Sequence, residues 1–438
     1  MRRLPEAIEM EKKVLSAMML RDGEAIPTVE GMLKPSDFYR EEHRCIYRAL
    51  MAVYSRRTPP DVLLIEEELR STGELEKVRR EYLFSLIDYE FTTARVESYA
   101  KAIREKALLR QLIETCDELM EESFEEKKPV AEILEAAGKR IFGLGTKLNT
   151  TAIGKAGETI NKTFEEIIER AQNPGEVTGV RTKLLGLDRA LNGLQKSDLI
   201  LLAARPSMGK TALALNIATN AASSGTRVAL FSLEMSKGQL AERLLSMASG
   251  VNSFKLKTGN LADEDMQALI GALEKLNDLT LYIDDTAGIT MLELRSKVRR
   301  LSHEEGLDLI VIDYLQLMQG VRAENRQQEI SEISRSLKAL AREMDIPILA
   351  LSQLSRGVEM RADKKPQLSD LRESGSLEQD ADVVMFLYRD EYYNRDEENN
   401  QNIAELIIAK NRNGPTTSIA LQFNKEIMRF GDLTRAAE

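Results

Sequence analysis

Cysteine and histidine are nearly absent: Cys45, Cys116, His43 and His303 are all that occur in 438 residues. Two cysteines build no disulfide scaffold and no thiolate metal cluster, and they suit a reducing, cytoplasmic setting. Two histidines argue against a histidine-based metal centre. Long apolar runs are missing too, since no stretch approaches the ~20 residues that a membrane helix needs. The first twenty residues scatter Arg2, Arg3, Glu6, Glu9, Glu11, Lys12 and Lys13 among apolar positions, which is not the pattern of a signal peptide. Nor is there an excess of positive charge. Lys and Arg total 61 against 71 Asp and Glu, a net of −10. Residues 1–150 hold 25 basic and 29 acidic residues, leaving 36 and 42 beyond them, so the two parts carry −4 and −6. Global electrostatics therefore gives no reason to invoke a nucleic-acid partner, and any such claim must rest on local groups or on assembly. The remaining composition, 43% hydrophobic and 30% charged, is that of a globular protein, long enough for two or three domains.

Two patterns divide the chain. Residues 1–145 read as all helix, with apolar positions at helical spacing in Ala7–Leu20, His43–Tyr54, Tyr82–Tyr89, Val96–Met120 and Val130–Phe142. Pro27, Gly31, Pro35, Pro59, Pro60, Gly73 and Pro129 punctuate them. Ser36 or Asp37 is placed to cap the second helix and Asp61 to start the third. Residues 93–142 suggest a helical hairpin. Glycines at 143, 145, 154 and 157 then mark a linker, so 146–178 is assigned as a linker segment. It carries a helix, Glu158–Ala171, whose Ile160, Phe164, Ile167 and Ile168 share one face. That face either packs on its own domain or docks on a neighbouring subunit, and its glycine-flanked isolation favours docking slightly.

From 179 to 438 the pattern becomes short apolar runs alternating with helices: an α/β domain with a mainly parallel sheet. The runs are Asp198–Ala203, Arg227–Leu233, Leu279–Ile283, Leu307–Ile312, Ile346–Leu351, Ala381–Leu387, Ala404–Ala409, Ser418–Phe423 and Ile427–Phe430. Asn413-Gly414 and Asn424-Lys425 read as hairpin turns that make the last strands an antiparallel edge.

The first run leads into Ala204-Arg205-Pro206-Ser207-Met208-Gly209-Lys210-Thr211 and a helix, the context of a phosphate-binding loop. Loop N–H groups around Ser207 and Gly209 would cradle phosphate, with Lys210 on the β- and γ-phosphates and the Thr211 hydroxyl on Mg²⁺. The usual first glycine of such a loop is Ala204 here. A carboxylate at the end of a neighbouring strand should complete the Mg²⁺ site. Spacing does not choose between Asp284-Asp285 and Asp313, but Asp313 ends the more uniformly apolar strand and is preferred. Glu234, directly after a buried strand, is placed to activate water or to cap the next helix.

The run from Ala204 to Thr211, together with Phe231-Ser232-Leu233-Glu234-Met235, Ile312-Asp313-Tyr314-Leu315-Gln316-Leu317 and Leu351-Ser352-Gln353-Leu354-Ser355-Arg356, closely resembles the DnaB-type replicative helicases. So do Asp370-Leu371-Arg372-Glu373-Ser374-Gly375, Lys410-Asn411-Arg412-Asn413-Gly414 and the opening Pro5-Glu6-Ala7-Ile8-Glu9, so the likeness runs through the chain. Ala204 at the first loop position is normal for that family. The resemblance implies a RecA-like ATPase domain after an all-α N-terminal collar, a homohexameric ring, ATP and Mg²⁺ as ligands, and unwinding driven along single-stranded DNA. It implies Glu234 as the catalytic glutamate, Asp313 on the Mg²⁺ side and Gln353 as the γ-phosphate sensor. Lys410 and Arg412 would reach into the adjacent subunit's site, Arg412 as an arginine finger. Independently of the family, residues i and i+2 of a strand project to one side, so the two cations can act together. Arg372, Glu373 and Gly375 match the DNA-gripping pore loop, and Arg356 is a further candidate there. A primase and a helicase loader are the implied partners. Asp390–Glu398 reads as a solvated acidic loop.

Overall fold

The computed structural model describes residues 3–433, except 57, 88–94, 128, 147–155, 173, 174, 176, 320–325, 362 and 395–399. The chain divides into two compact units, Met1–Thr159 and Ile160–Glu438. Among the described residues no helix is long and apolar enough to cross a membrane.

The first unit is helical, with Ile8–Met19, Glu41–Ser55, Val62–Ser71, Arg80–Ser85, Val96–Glu125 and Val130–Thr146 as its principal helices. Asp61 caps Val62–Ser71 as expected, its carboxylate accepting from the Leu63 N–H at 2.8 Å. Asp37 does something else. It ends a short 3₁₀ turn, Pro35–Asp37, while the next helix starts only at Glu41 with Arg40 before it. The Asp37 side chain is fully buried and both its oxygens accept from Arg104 Nη1 at 2.8 Å, tying the turn to the long helix Val96–Glu125. The other buried charges are paired in the same way. Glu11 meets His43 Nδ1 at 2.6 Å, His43 Nε2 meets the Tyr82 hydroxyl at 2.6 Å, and Glu66 takes Arg70 and Arg80. Val14, Leu15, Met18, Phe38, Ile46, Leu50, Leu69 and Ile103 fill the space between.

Past Leu108 the long helix leaves this core. Leu112, Met120 and Phe124 are exposed on it, as are Val130, Leu134 and Ile141 on the returning helix. Arg140 clips the two together through Glu122 at 2.7 Å. The returning helix runs through Gly143 and Gly145 to Thr146, so the glycine signal marks the end of a helix and not a break at 143. The amphipathic helix spans Ala156–Gln172, two residues longer at its start than its apolar pattern indicates. The end of Tyr82–Tyr89 and most of the glycine-rich linker lie outside the described residues.

The second unit is built on a nine-stranded sheet: β1 Leu199–Ala204, β2 Val228–Ser232, β3 Leu281–Asp284, β4 Leu309–Asp313, β5 Ile348–Gln353, β6 Val383–Tyr388, β7 Ile403–Asn411, β8 Thr417–Asn424 and β9 Arg429–Asp432. Their order is β3-β2-β4-β5-β1-β6-β7-β8-β9. The first six are parallel; β6 to β9 pair antiparallel, β7 to β8 and β8 to β9 through the two expected hairpins and β6 to β7 through the longer segment 389–402. β1 shows why its sequence is apolar throughout. Ile200, Leu202 and Ala204 pack on one face beneath the helix Lys210–Ala222. Leu199, Leu201 and Ala203 pack on the other, against Ile330, Ile333 and Leu337 of the helix Arg326–Met344. Each fully buried leucine or isoleucine among them contributes about 1.5–3 kcal/mol.

Replacing Asp37 by Ala should strand the Arg104 guanidinium and free the Lys34 N–H. The first unit should lose about 3 kcal/mol or more, read as a lower denaturant midpoint of the full chain. An unchanged midpoint would mean that the buried pair holds nothing together.

Candidate functional site

The C-terminal ends of four parallel strands define the site. In register, Ala204 of β1 sits beside Gln353 of β5, and Ser232 of β2 beside Asp313 of β4. Glu234 follows two residues after Ser232, with the Leu233 N–H held by the Asp313 carbonyl at 2.7 Å. Ligands of open α/β sheets bind at this end.

The loop after β1 turns into its helix through Ser207 (φ +67°) and Gly209 (φ +98°). A Cβ on Gly209 would lie 3.1 Å from the Phe430 ring and in a left-handed backbone conformation, so only glycine suits the position. The bend opens the N-terminus of Lys210–Ala222 toward a cavity of about 550 Å³. Ser207, Gly209, Lys210, Thr211, Glu234 and Gln353 all line it, so six residues chosen from sequence meet around one space.

Asp313 lies beneath the cavity and is 2% exposed. Burial pushes its carboxyl above the ordinary range and Glu234 adds to this, while Lys210, the Thr211 hydroxyl and Arg243 pull it down. Neither carboxylate oxygen accepts a hydrogen bond of normal geometry among the described residues. Burial also lowers Lys210, against the opposing pull of Asp313 and Glu234, and its ammonium stands 4.4 Å from the centre of the Tyr314 ring. Two unpartnered carboxylate oxygens beside a hydroxyl form the kind of oxygen donor set that a hard divalent cation takes. The alternative carboxylates at the end of β3 are engaged elsewhere: Asp284 with Lys297 at 2.6 Å, Asp285 with the Lys237 N–H at 3.0 Å.

Three cavity residues escaped the sequence reading. Arg243, on the helix Lys237–Ser249, faces Asp313 and Glu234, and burial lowers it. Its signal is only the face it presents once the helix is folded. Arg389 directly follows β6, is 7% exposed, and lies over the Phe423 ring at 4.5 Å. It had a readable signal, the same strand-end position that singled out Glu234. Lys425 lines the cavity with Phe423 and pairs with Glu391, which also takes Arg389 at 3.3 Å. The acidic segment is therefore no free loop at its start: Asp390–Tyr392 is an anchored 3₁₀ turn, while 395–398 lie outside the described residues.

Gln353 also borders a second cavity of about 390 Å³, lined by Arg356, Asp370 and Leu371. Gln316 braces it, donating to the Ser352 hydroxyl at 2.8 Å and accepting from the Gln353 N–H at 3.3 Å. The segment expected as an open loop around Arg372, Glu373 and Gly375 is helical: 3₁₀ over Leu368–Ser374, then α over Gly375–Asp380. Its side chains at 372–376 lie outside the described residues. Arg361 fixes its start through Asp370 at 2.7 Å.

Lys410 and Arg412 are not brought to the cavity. Asn411 pairs with Val383, which precedes the β6 residue beside Leu201, so both cations stand at the beginning of β1. The phosphate loop starts beyond its end. From Ile200 to Ala204 the strand alone rises about 13 Å.

With this geometry in view, comparison with known proteins is specific. Residues 179–432 match the family model of the DnaB-like helicase C terminal domain, and residues 3–105 that of the DnaB-like helicase N terminal domain. Over 435 residues the chain is 46% identical to the replicative DNA helicase DnaB of Geobacillus stearothermophilus, covering 98% of this chain and 95% of that protein. The corresponding helicase of Haemophilus influenzae is 40% identical over 447 residues, covering 99% and 95%. Among solved structures, a DnaB-like replicative helicase described with its interactions with primase matches with a TM-score of 0.77 and 34% identity, over 98% of this chain and all of that one. A separately solved ATPase domain matches with a TM-score of 0.62 and 43% identity, over 65% of this chain and all of that one.

Asp313→Asn removes a buried charge that has no hydrogen-bond partner. A carboxyl whose native pKa is raised loses stability as pH rises from its unfolded value through its native one. Without nucleotide or metal the variant should therefore melt above the wild type near neutral pH, by a margin that shrinks toward acid, and it should not hydrolyse ATP. Thermal melts between pH 4 and 8 check this, and a variant that melts lower at pH 7 would contradict it.

Proposed function

The chain belongs to the DnaB-type replicative DNA helicases, and on that footing we propose how its residues divide the work. As a replicative helicase it couples ATP hydrolysis to movement along single-stranded DNA and unwinds the duplex at the replication fork. Lys210 and the N–H groups of the loop at Ser207 and Gly209 hold the triphosphate. Thr211 and Asp313 would hold Mg²⁺, which when bound supplies charge neutralisation across the β- and γ-phosphates. Glu234 orients the attacking water and takes its proton as the bond from the γ-phosphorus to the leaving ADP oxygen breaks. Arg243 is placed to balance charge gathered between Glu234 and Asp313, and Phe423 with Arg389 offers an aromatic and cationic wall for the base.

The observation that carries the reading is the sheet register. Arg412 stands at the end of the sheet opposite its own phosphate loop. It therefore serves the nucleotide of another copy, with Lys410 beside it, and the site is complete only between subunits. A homohexameric ring satisfies this for every copy at once. The exposed apolar face of Ala156–Gln172, with Ile160, Phe164, Ile167 and Ile168, and the exposed Met266, Ile270 and Leu273 of the helix Asp263–Asn277 supply further surface for such contacts. A ring also answers the charge problem, because Arg372, Glu373 and Gly375, with Arg356 near them, recur around a pore and grip a phosphate backbone that a chain of net −10 would otherwise repel. Gln353, on the walls of both cavities, relays the state of the γ-phosphate toward that segment. The exposed apolar residues of the helices Val96–Glu125 and Val130–Thr146 fit subunit pairing and a primase partner. A closed ring also needs a loader to be threaded on DNA. The setting is the cytoplasm, in keeping with the two unpaired cysteines.

Mixed rings test the shared site. Arg412→Ala should keep ATP binding and lose hydrolysis by about 10³-fold or more, and Glu234→Gln should be similarly inactive. Mixing the two restores interfaces that hold Glu234 from one copy and Arg412 from the next, so ATPase activity should return in part. A mixture as inactive as its components, or an active Arg412→Ala ring, would overturn the reading. Arg372→Ala should weaken single-stranded DNA binding and flatten its dependence on salt concentration. An unchanged slope would place the DNA path elsewhere.

A further inference from the structure

Arg412 is not free in the single chain. Its Nη1 lies 3.4 Å from Asp382 Oδ1, its Nη2 donates to the Gln379 carbonyl at 2.5 Å, and its backbone N–H donates to the Asp382 carbonyl at 2.9 Å. The two partners differ in exposure and anchoring. The Asp382 side chain is 7% exposed and its Oδ2 is fixed by the Leu199 N–H at 2.8 Å and by Lys338. The Arg412 side chain, next to the Asn413-Gly414 turn, is 48% exposed. Lys338 in turn donates to the Ser197 carbonyl at 2.8 Å and stands 4.0 Å from Asp198. Arg412 and Lys338 thus both offset the charge of the Asp382 and Asp198 carboxylates, and Lys410 also feels Asp382; withdrawing Arg412 removes one of these cations. Asp198 already registers that crowding, since burial and the Asp382 charge push it up to about 6 against the pull of Lys338 and Arg412.

Resting on the reading of Arg412 as a group that acts on a neighbour's nucleotide, we propose that Asp382 is a positioning residue that parks Arg412 when no triphosphate faces it. The carboxylate carries one charge and divides it with Lys338. A bound triphosphate offers Arg412 more charge and a bidentate geometry, so the guanidinium exchanges one partner for the other. Lys410 sits in the same cap, its ammonium donating to the Glu378 carbonyl at 2.5 Å and the Ala381 carbonyl at 2.8 Å. These carbonyls close the helix Gly375–Asp380, which begins where the segment Leu368–Ser374 ends. Withdrawal of the two cations uncaps that helix, so a neighbour's nucleotide acts on the backbone that follows Arg372 and Glu373.

Parking subtracts from nucleotide affinity, and its removal should show as tighter binding with Arg412 as the agent. The readout is the affinity of the assembled full-length protein for a non-hydrolysable ATP analogue, with melting temperature and mass as controls for folding and assembly. Asp382→Asn should bind about two- to fivefold more tightly, and the gain should vanish in Asp382→Asn/Arg412→Ala, which should match Arg412→Ala. Lys338→Gln removes the cation that competes most directly with Arg412 for Asp382 and should bind more weakly. It decides the matter should Asp382→Asn fail to assemble. Unchanged or weaker binding by Asp382→Asn, or unchanged or tighter binding by Lys338→Gln, overturns the proposal while an inactive Arg412→Ala leaves the shared site standing. A fully active Arg412→Ala ring instead removes the reading beneath it.

Discussion

Strand direction constrains everything else in this molecule. β1 and β6 run parallel, so the loop that follows β1 opens at one end of the sheet. β7 returns antiparallel beside β6 and delivers Lys410 and Arg412 to the other end. No rotamer of Arg412 recovers the length of a strand. One chain thus has a cradle that lacks its distant cation and a cation that lacks a phosphate. Two copies would satisfy both, which is why the proposed hydrolytic site lies at their junction. On the proposed reading the apolar residues exposed at Phe164 and Ile270 belong to the same problem, because surface that a lone copy leaves wet would supply the energy of the junction.

Electrostatics at the cradle is arranged against the empty state. Asp313 is buried with unsatisfied oxygens, and burial lowers Lys210 against the pull of Asp313 and Glu234. Both features cost stability without ligand, and the proposed metal-bound polyphosphate would relieve them by bringing cation to one and anion to the other. The first unit handles its buried charges in the opposite way. Asp37, Glu11 and Glu66 each meet a partner within the chain. The contrast separates charges that hold a fold from charges that wait for a ligand, and it needs no knowledge of the family.

What the sequence made legible follows from how local each feature is. The central strands β1, β2, β4, β5 and β6 could be read because burial on both faces demands uninterrupted apolar runs such as Leu199–Ala204, and the edge strands because turns such as Asn413-Gly414 announce themselves. The cradle could be read because strand, glycine and lysine are contiguous. Gly143 and Gly145 misled, since glycine weakens a helix by only about 1 kcal/mol per residue and this helix absorbs two. Asp37 misled because a capping residue and a buried anchor have the same composition, and only Arg104, 67 positions away, distinguishes them. Arg243 was invisible because nothing local tells which side of Lys237–Ser249 faces the cavity. That Asp382 holds Arg412 was hidden for a related reason, because their contact depends on the pairing of β6 with β7 and not on either strand alone.

The two cavities are divided by very little. Gln353 and Tyr314 border both, and Arg205 does as well, its guanidinium held by the Leu354 carbonyl at 2.9 Å and by Glu359. A wall of so few side chains transmits a change only if it has two arrangements to choose between. Gln353 meets that condition better than its neighbours: its backbone is fixed by Gln316, whereas its side chain is exposed at the strand end. A rigid backbone with a movable amide can trade a contact on one side for a contact on the other without disturbing β5. Arg412 repeats the principle at the far end of the sheet, where an anchored carboxylate faces a half-exposed guanidinium. Each end of the sheet thus pairs an anchored group with an exposed one, which is the arrangement that the two proposed exchanges require.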